Sequence, residues 1–488
     1  MSSRIVLLEK LAAGLGPKGF TRDPDAMAPW LEDWRKRYRG SAAALLSPAT
    51  TEEVVQIVRL CAAEGVALVP QGGNTSMVAG ATPDRLGDSL LLSMRRMNRI
   101  RSISAAANSA VCEAGVILSD LHAAAAEPGR RFPLSLGAKG SATVGGLVST
   151  NAGGTQVLRF GTMRGLVQGL EAVLPDGTLF QGLSALKKDN RGYDLKQLLI
   201  GAEGTLGIVT AASLRLVPAI GSRSVAWIGL ASPAAALELL LMLEASLGDA
   251  VESFELVPDV ALQLVLQHVP GTRAPLAGQH GWHVLVEATA PMVAPSPDKA
   301  LTAALHAAAE AGLIEDAVIA SNEAQAEAFW RIRDSISEAE QKDGPNAKHD
   351  VSVEVPAMPA FIVEATAAVE ARFPGVRVIA FGHLGDGNVH FNVRAPEGVG
   401  RDWLQGQALE VTSFVHDQVV AAGGSISAEH GIGQMRLSEL ARLAEPARLK
   451  TMRAIKQALD PQGIMNPGKL VPPAGPGTWS LAEAGARP

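Results

Sequence analysis

The chain has 488 residues, a formal net charge of −6, 47% hydrophobic residues and 19% charged residues. This length and composition exclude a disordered chain and predict a well-buried protein with more than one domain. Its two cysteines, Cys61 and Cys112, exclude a disulfide framework and a thiolate metal cluster. No basic stripe stands out, which argues against a nucleic-acid partner, and residues 1–20 carry no membrane-spanning run or secretory signal, so a cytoplasmic protein is expected.

The first half of the chain predicts short elements separated by glycine turns. A threonine pair starts a predicted helix in TEEVVQIVRLCAAEG, and a strand over residues 66–69 follows. Short strands are predicted within residues 88–117, and then a helix that ends at Gly129. The stretch GLEAVLPDGTLFQG has the form of a hairpin with PDG as its turn. We place a domain boundary near Ile220.

The residues after Ile220 alternate differently. SVAWIGL and HVLVEAT predict strands, while PAAALELLLMLEASLG and PDKALTAALHAAAEAGL predict helices, and together they favour an α+β sheet covered on one face. AFWRIRDSISEAEQKDG predicts a further helix. The predicted organisation is a first domain over residues 1–220, a second over 221–425, a C-terminal segment over 426–470 and a loose tail over 471–488.

Two glycine-rich loops suggest nucleotide binding. They are PQGGNTSMVAG, residues 70–80, and GGLVSTNAGG, residues 145–154. Such turns let backbone amides surround a diphosphate, while Ser, Thr and Asn side chains add donors. Neither loop is a Walker sequence or a Rossmann fingerprint. One loop alone could be a structural turn, but two of them together with GAEGTLGIV favour a dinucleotide in a different kind of binding fold.

Near the C-terminal end, FGHLGDGNVHFNV places two histidines on either side of a Gly-Asp-Gly-Asn turn. Predicted strands on both sides bring His383 and His390 close enough to share one ion, and strand alternation puts Asn392 on the same face as His390. The segment SAEHGIG supplies Glu429 as a third ligand. Two histidines and a carboxylate are typical of a catalytic divalent metal, but these residues alone leave a hydrogen-bonded histidine pair as an equal alternative.

Seven motifs of the chain resemble those of the FAD-linked oxidase family, which has the vanillyl-alcohol-oxidase/p-cresol-methylhydroxylase fold. They are PQGGNTS, LGAKGS, STNAGG, LKKDNRGYDLKQLLIGAEGTLGIVT, FGHLGDGNVHFNV, SAEHGIGQMR and DPQGIMNPGKL. The resemblance runs from about residue 40 to residue 470 and is strongest to dehydrogenases of D-2-hydroxy acids. It implies an α+β protein: a two-subdomain FAD-binding domain, an α+β substrate (cap) domain that carries the metal hairpin, and a C-terminal segment that returns to the flavin.

The resemblance also implies which residues bind FAD. The pyrophosphate would be held by Gly72, Gly73, Asn74 and Thr75, the flavin by Gly145, Gly146, Ser149, Asn151 and Gly153, the adenosine end by Glu203, Gly204 and Ile208, and the isoalloxazine by Asn466. Further contacts with the cofactor are implied for Ser76, Pro133 and Gly137. Because GGNTS has no histidine, where relatives with a covalent flavin carry one, FAD is expected to bind without a covalent link.

For the reaction, the resemblance implies a divalent cation, best zinc, on His383, His390 and Glu429, with His430 as general base. An alternative role for His430 is to orient Glu429. One helical turn separates Arg333 from Ser337, so both can face a substrate carboxylate. Lys348 is implied to bind a second, distal carboxylate by its register with the family, although spacing alone favours a solvated surface lysine. Asn392 completes the expected substrate site.

The implied activity is oxidation of a D-2-hydroxy acid, with D-2-hydroxyglutarate giving 2-oxoglutarate by hydride transfer to FAD. The alternative within the family is a dehydrogenase for D-lactate, another D-2-hydroxy monocarboxylate or D-malate. A metal-dependent hydrolase would have no use for the glycine loops, and a non-catalytic flavin subunit would be expected to lose the metal ligands or the base. An electron-transfer flavoprotein or a quinone is the expected electron acceptor, and a homodimer is expected.

Overall fold

A computed structural model describes residues 3–473, so the predicted loose tail lies outside the described residues from residue 474 onward. The β-strands are β1 (Phe20–Thr21), β2 (Ala44–Leu46), β3 (Leu68–Gln71), β4 (Leu90–Ser93), β5 (Ile100–Ser104), β6 (Ser109–Glu113), β7 (Arg130–Arg131), β8 (Val167–Val173), β9 (Leu179–Gly182), β10 (Ile208–Arg215), β11 (Val217–Pro218), β12 (Ile220–Leu230), β13 (Val251–Pro258), β14 (Trp282–Pro291), β15 (Asp316–Ile319), β16 (Asn346–Ser352), β17 (Arg377–His383) and β18 (Asn388–Arg394).

The α-helices are α1 (Ser3–Gly19), α2 (Pro24–Met27), α3 (Thr51–Glu64), α4 (Leu118–Ala126), α5 (Val144–Thr150), α6 (Val157–Phe160), α7 (Met163–Leu166), α8 (Lys196–Leu199), α9 (Pro233–Leu247), α10 (Asp259–His268), α11 (Asp298–Glu310), α12 (Glu323–Asp334), α13 (Ile336–Asp343), α14 (Met358–Arg372), α15 (Gln407–Ala421), α16 (Leu437–Leu443) and α17 (Pro446–Leu459). Among the described residues, no helix has the length and apolarity needed to cross a membrane.

The chain divides into two compact units. The first contains residues up to Gly153, then Thr162–Pro218, and then the residues from Glu429 onward. The second contains Gly154–Gly161 and Ala219–Ala428. The short stretch Gly154–Gly161, expected in the first domain, therefore belongs to the second unit, and the C-terminal segment groups with the first.

The first unit is built on two main sheets. One has the strand order β1-β2-β4-β3, with β2, β4 and β3 parallel, and the other is antiparallel in the order β5-β6-β10-β8-β9. Helix α3 begins after Thr50, whose hydroxyl accepts from the Glu53 N–H, and ends at Gly65 with φ +63°, since glycine adopts left-handed backbone without strain. The predicted helix start and the predicted β8–β9 hairpin are confirmed.

The second unit is built on a seven-stranded antiparallel sheet in the order β15-β12-β14-β13-β17-β18-β16. Helices α9, α11, α14 and α15 pack against Ile228, Val284 and their face of the sheet, whereas α10, α12 and α13 pack against Trp227, Leu285 and the other face. The expectation that helices cover only one face was wrong. The physical reason is that β13 is buried at every position, which requires apolar partners on both faces.

The stretch Gly154–Gly161 is fixed in the second unit by a buried carboxylate. Glu252 of β13 accepts from Gln156 Nε2 at 2.6 Å, from Arg159 Nη1 at 3.0 Å and from Thr289 Oγ1 at 2.6 Å. Because Glu252 is fully buried, these donors compensate a charge that would otherwise be costly to bury.

Candidate active site

The first unit contains a cavity of about 600 Å³, counting the part open to solvent. The residues expected to bind FAD that line it are Gly72, Ser76, Gly145, Gly146, Ser149, Glu203, Gly204 and Ile208, and the expected base His430 lines it too. They come from the two glycine-rich loops, from the GAEGTLGIV segment and from the C-terminal segment. Residues far apart in the sequence thus converge on one cavity.

Glycine is required in these loops because the backbone packs too closely for a side chain. A Cβ on Gly73 would lie 1.8 Å from the carbonyl oxygen of Ser141, and one on Gly145 would lie 2.6 Å from the Ala114 Cβ. A Cβ on Gly72 would lie 2.2 Å from the Thr143 Oγ1. Any other residue would push the loops apart, so the wall of the cavity is largely backbone.

The chemistry of the wall fits a dinucleotide. The Thr143 hydroxyl, next to Gly72 and Gly146, is buried and has no hydrogen-bond partner among the described residues, and the same holds for Gln71 Oε1. Buried polar atoms normally find a partner, so these atoms fit a polar ligand. Met94 adds an apolar part to the same wall. A dinucleotide, which carries both polar phosphates and an apolar ring, matches this mixture of polar and apolar groups.

Other residues expected to bind FAD do not line this cavity but shape its loops. Asn74 has φ +54°, and its Nδ2 donates to the carbonyl oxygens of Pro29 and Glu32. Asn151 ends α5 with φ +51°, and its side chain accepts from the Arg164 N–H.

Asn466 likewise shapes the cavity, with φ +43° and its Nδ2 donating to the carbonyl oxygens of Gly80 and Glu203. The other residues expected to bind FAD that do not line the cavity are Gly73, Thr75, Pro133, Gly137 and Gly153. Of these, Gly137 is exposed and open to solvent on its Cβ side.

In the second unit, the β17–β18 hairpin brings the two predicted histidines together. The rings of His383 and His390 lie 5.4 Å apart between centroids, nearly perpendicular to one another. The turn between the strands includes Gly387 with φ +78°, a conformation that favours glycine. The chain then supplies Glu429 directly after Ala428, whose N–H donates to the carbonyl oxygen of Asp350 on β16.

One ligand atom each from His383, His390 and Glu429 lie within 4.8 Å of one another. Tetrahedral zinc ligands sit about 2.0–2.2 Å from the ion, which places two of them about 3.4 Å apart. Side-chain movements of about 1 Å would therefore close this group around a cation. The donor set of two imidazoles and one carboxylate fits zinc and leaves a position for substrate.

A buried carboxylate supports this group. Glu255 of β13 contacts His383 Nδ1 at 2.6 Å through Oε1 and accepts from Arg333 Nε at 2.7 Å through Oε2. Burial alone would raise the pKa of Glu255, but the Arg333 guanidinium and the His383 imidazole outweigh it and lower that pKa to about 2. Glu255 is thus a permanent anion that holds Nδ1 of His383 and leaves Nε2 to a metal, the usual arrangement of a histidine ligand.

The predicted substrate residues Arg333 and Ser337 do not share one face of a helix. Helix α12 ends at Asp334 and α13 begins at Ile336, so the expected single helix is two helices. Arg333 is 8% exposed, and its guanidinium lies 5.2 Å from the centroid of the Phe381 ring, whereas Ser337 is exposed. The spacing argument assumed a continuous helix, and the junction at Ser335 removes that assumption.

Lys348 is not a solvated surface lysine, because its side chain is only 14% exposed. Its Nζ lies 3.2 Å from Oε2 of Glu340, a fully buried carboxylate on α13. Asn392 Nδ2 donates to both Glu340 carboxylate oxygens at 2.9 Å. The structure therefore brings the predicted residues Lys348 and Asn392 together on one carboxylate.

Comparison with known proteins places this geometry in a family. A model described as the FAD linked oxidases, C-terminal domain, matches residues 221–470, and one for an FAD binding domain matches residues 42–182. The chain belongs to the FAD-linked oxidases.

Two relatives are similar over most of this FAD-linked oxidase. The mitochondrial D-2-hydroxyglutarate dehydrogenase of Arabidopsis thaliana is 39% identical over 94% of this chain and 80% of its own length. The D-2-hydroxyglutarate dehydrogenase of Xanthomonas citri is 37% identical over 96% of both chains. The structure of p-cresol methylhydroxylase with bound substrate superposes with a TM-score of 0.75 at 16% identity, over 97% of this chain and 98% of that one. This last likeness confirms the predicted fold, and the matched FAD binding domain makes the protein a flavoprotein.

Two buried acids of this FAD-linked oxidase were missed by reasoning from the sequence. Glu255 holds His383 and Arg333, and Glu340 holds Lys348 and Asn392. Glu255 lies 128 residues from His383 in the chain, so no local spacing connects them. The cavity-lining residues Gln71, Met94, Ala114, Thr150 and Val209 were also missed, although all but Met94 and Ala114 adjoin a predicted residue.

Proposed function

We propose that this FAD-linked oxidase oxidises D-2-hydroxyglutarate to 2-oxoglutarate, using non-covalently bound FAD and a divalent cation, zinc in the first instance. The observation that carries the proposal is the position of His430, which lines the FAD cavity and directly follows Glu429 of the metal group in the chain. The substrate is supported by the two relatives named D-2-hydroxyglutarate dehydrogenase.

The protein supplies cofactor sites rather than redox chemistry of its own. When bound, FAD accepts a hydride, and a divalent cation lowers the pKa of a hydroxyl that it touches. His383, His390 and Glu429 would hold the cation, with Glu255 fixing the orientation of the His383 ring. A 2-hydroxy acid offers its hydroxyl and one carboxylate oxygen to such a site.

His430 then takes the proton of the substrate hydroxyl at a ring nitrogen, as a general base. His430 lines the cavity that would hold FAD, which supports this role. Removal of the proton and departure of the hydride together convert the alcohol to the ketone.

Arg333 and Lys348 are proposed to bind the two carboxylates of the substrate. Arg333 gives Nε and Nη2 to Glu255, which uses two of its five donors. Glu340 fixes the Lys348 ammonium in the same way. Because Asn392 Nδ2 is bound to Glu340, Asn392 can serve a ligand only as an acceptor through Oδ1.

The test is anaerobic reduction of the flavin, followed by its absorbance. D-2-hydroxyglutarate should bleach the flavin rapidly, and its L-isomer, D-lactate and D-malate more slowly or not at all. Chelation should abolish bleaching and zinc should restore it. Bleaching by D-lactate alone would refute the substrate but keep the mechanism, and indifference to chelation would refute the metal site.

The electrons must pass from the enzyme to a second acceptor. An electron-transfer flavoprotein or a quinone is proposed. Mixing the substrate-bleached enzyme with each acceptor under anaerobic conditions should restore the flavin absorbance with one of them, and recovery with neither would reject both.

A further inference from the structure

The carboxylate of Glu203 is committed to the protein backbone. Oε1 accepts from the Ile432 N–H at 2.8 Å and Oε2 accepts from the Gly433 N–H at 2.7 Å. Glu203 is 8% exposed, so both bonds lie away from solvent. A carboxylate that already accepts two backbone donors is poorly placed to bind the adenosine end of FAD, which is the position expected from the resemblance.

The backbone of Glu203 is held as firmly. Its N–H donates to the carbonyl oxygen of Ser149 at 2.8 Å, and its own carbonyl oxygen accepts from Asn466 Nδ2 at 2.6 Å. Glu203 also has φ +50°, a conformation that few residues other than glycine adopt and that persists where the surroundings enforce it. Glu203 therefore joins the cavity wall, the C-terminal segment and Asn466.

The turn whose backbone N–H groups donate to Glu203 directly follows His430 in the chain. Gly431 has φ +80°, and a Cβ on it would lie 2.6 Å from Glu203 Oε1. Gly433 has φ +52°, and a Cβ on it would lie 2.2 Å from the Val78 carbonyl oxygen. The backbone directly after His430 is thus pressed against the carboxylate on one side and against the first glycine loop on the other.

We infer that Glu203 is a positioning residue that fixes the backbone after His430 and so holds the His430 ring in the wall of the flavin cavity. The role assigned to His430 rests on the proposed function. The arrangement requires a carboxylate, because glutamine offers one acceptor oxygen and turns its NH₂ toward the second backbone N–H. That N–H would lose its bond in a buried place.

The experiment compares the wild-type holoenzyme with Glu203→Gln, Glu203→Asp and the control Glu127→Gln, which makes the same change at an exposed glutamate of the same unit. Hydrogen exchange at the amides of residues 432 and 433 is measured without substrate. Flavin reduction by saturating D-2-hydroxyglutarate is measured anaerobically. FAD and zinc contents are measured on the same samples.

In Glu203→Gln, the two amides should exchange at least tenfold faster, while FAD and zinc contents stay as in the wild type. The rate constant of flavin reduction should fall about ten- to hundredfold, because small misplacements of a catalytic group cost that much, and the substrate concentration for half-saturation should change less than threefold. Glu203→Asp, which keeps both acceptor oxygens, should recover part of the rate.

Unchanged exchange in Glu203→Gln would overturn the inference, and so would loss of FAD with a normal reduction rate in the molecules that retain it. The exchange measurement needs no substrate. It therefore decides whether Glu203 fixes this backbone, whatever the substrate is. If D-2-hydroxyglutarate does not reduce the wild-type flavin, the proposed function fails, but the positioning role of Glu203 does not.

Discussion

The FAD cavity of the first unit and the region around His383 and His390 in the second unit are built from different kinds of residue. The cavity wall contains many glycines, among them Gly72 and Gly145, where a Cβ would collide with neighbouring atoms. In the second unit, Glu255 holds His383 and Arg333, and Glu340 holds Lys348, so this region is built from charged side chains on two buried acids. The first is therefore sensitive to added volume and the second to lost charge.

The largest effect is expected from removing a metal ligand. His383→Ala should lower kcat/KM for D-2-hydroxyglutarate by about a thousandfold or more, roughly 4 kcal/mol, because a catalytic cation supplies several kcal/mol of charge stabilisation. FAD content should not change, since His383 belongs to the second unit. His306→Ala, at an exposed histidine on α11, should behave as the wild type. Steady-state kinetics and zinc and FAD analysis of both variants would measure these effects. Retention of zinc by His383→Ala would contradict the ligand assignment.

Added side-chain volume in the glycine loops should weaken FAD binding and leave zinc binding unchanged. The Cβ of Gly73→Ala would sit 1.8 Å from the Ser141 carbonyl oxygen, and overpacking of this kind costs about 1–3 kcal/mol. FAD affinity should fall up to about a hundredfold, with zinc affinity unchanged, as measured by titration of the apoprotein. Gly14→Ala, where a Cβ meets nothing within 4 Å, is the control. Equal FAD affinity in the two variants would mean that the close approach at Gly73 does not shape the site.

Removal of a charge near His383 should weaken zinc binding and leave FAD binding unchanged. Glu255→Gln should lower zinc affinity about ten- to hundredfold, the usual effect of removing a carboxylate that orients a histidine ligand. The matched control is Glu315→Gln, because Glu315 also lies 2.6 Å from an imidazole nitrogen, that of His280, which is not in the metal group. Zinc titration by calorimetry separates the two. A similar loss in both variants would point to a general electrostatic effect.

The smallest effect concerns Lys469, a buried cation of the first unit that has no carboxylate within hydrogen-bonding distance among the described residues. Among the described residues, Lys469 Nζ donates to the Pro467 carbonyl oxygen at 3.3 Å. Burial lowers the pKa of Lys469 from 10.5 to about 8, against the opposing pull of Asp84 and Glu203. Between these values the unfolded chain binds more protons than the folded one, so the free energy of unfolding rises with pH.

This rise should be about 1 kcal/mol between pH 8 and pH 9 and should be missing in Lys469→Met, which has no titrating group. Chemical denaturation of both proteins across this pH range measures the difference. Parallel pH curves for the two proteins would show that the folded protein does not lower the pKa of Lys469.

The sequence predicted local features of both sites better than contacts between distant parts of the chain. Turn chemistry is local, so the two glycine-rich loops could be recognised from short stretches of sequence, and the family resemblance then implied FAD contacts for Gly72 and Gly145. The β17–β18 hairpin with His383 and His390 could be predicted for the same reason. Glu255 could not, because an acid on a buried strand far away in the chain leaves no pattern that tells which cation it will meet.

The break between α12 and α13 was missed for a related reason. WRIRDSIS contains no glycine or proline to end a helix, so no local signal marks the junction at Ser335. The second covered face of the sheet was missed because strand and helix patterns give no count of layers.

The stretch Gly154–Gly161 has a consequence for how this protein can be divided. The chain passes into the second unit at residue 154, leaves it after residue 161, enters again at 219 and leaves finally after 428. A fragment that starts at residue 219 would lack Gln156 and Arg159, two donors to the fully buried Glu252. Such a fragment should express poorly or aggregate unless Gly154–Gly161 is supplied with it, so a gene cut at the apparent domain boundary would not yield two self-sufficient halves.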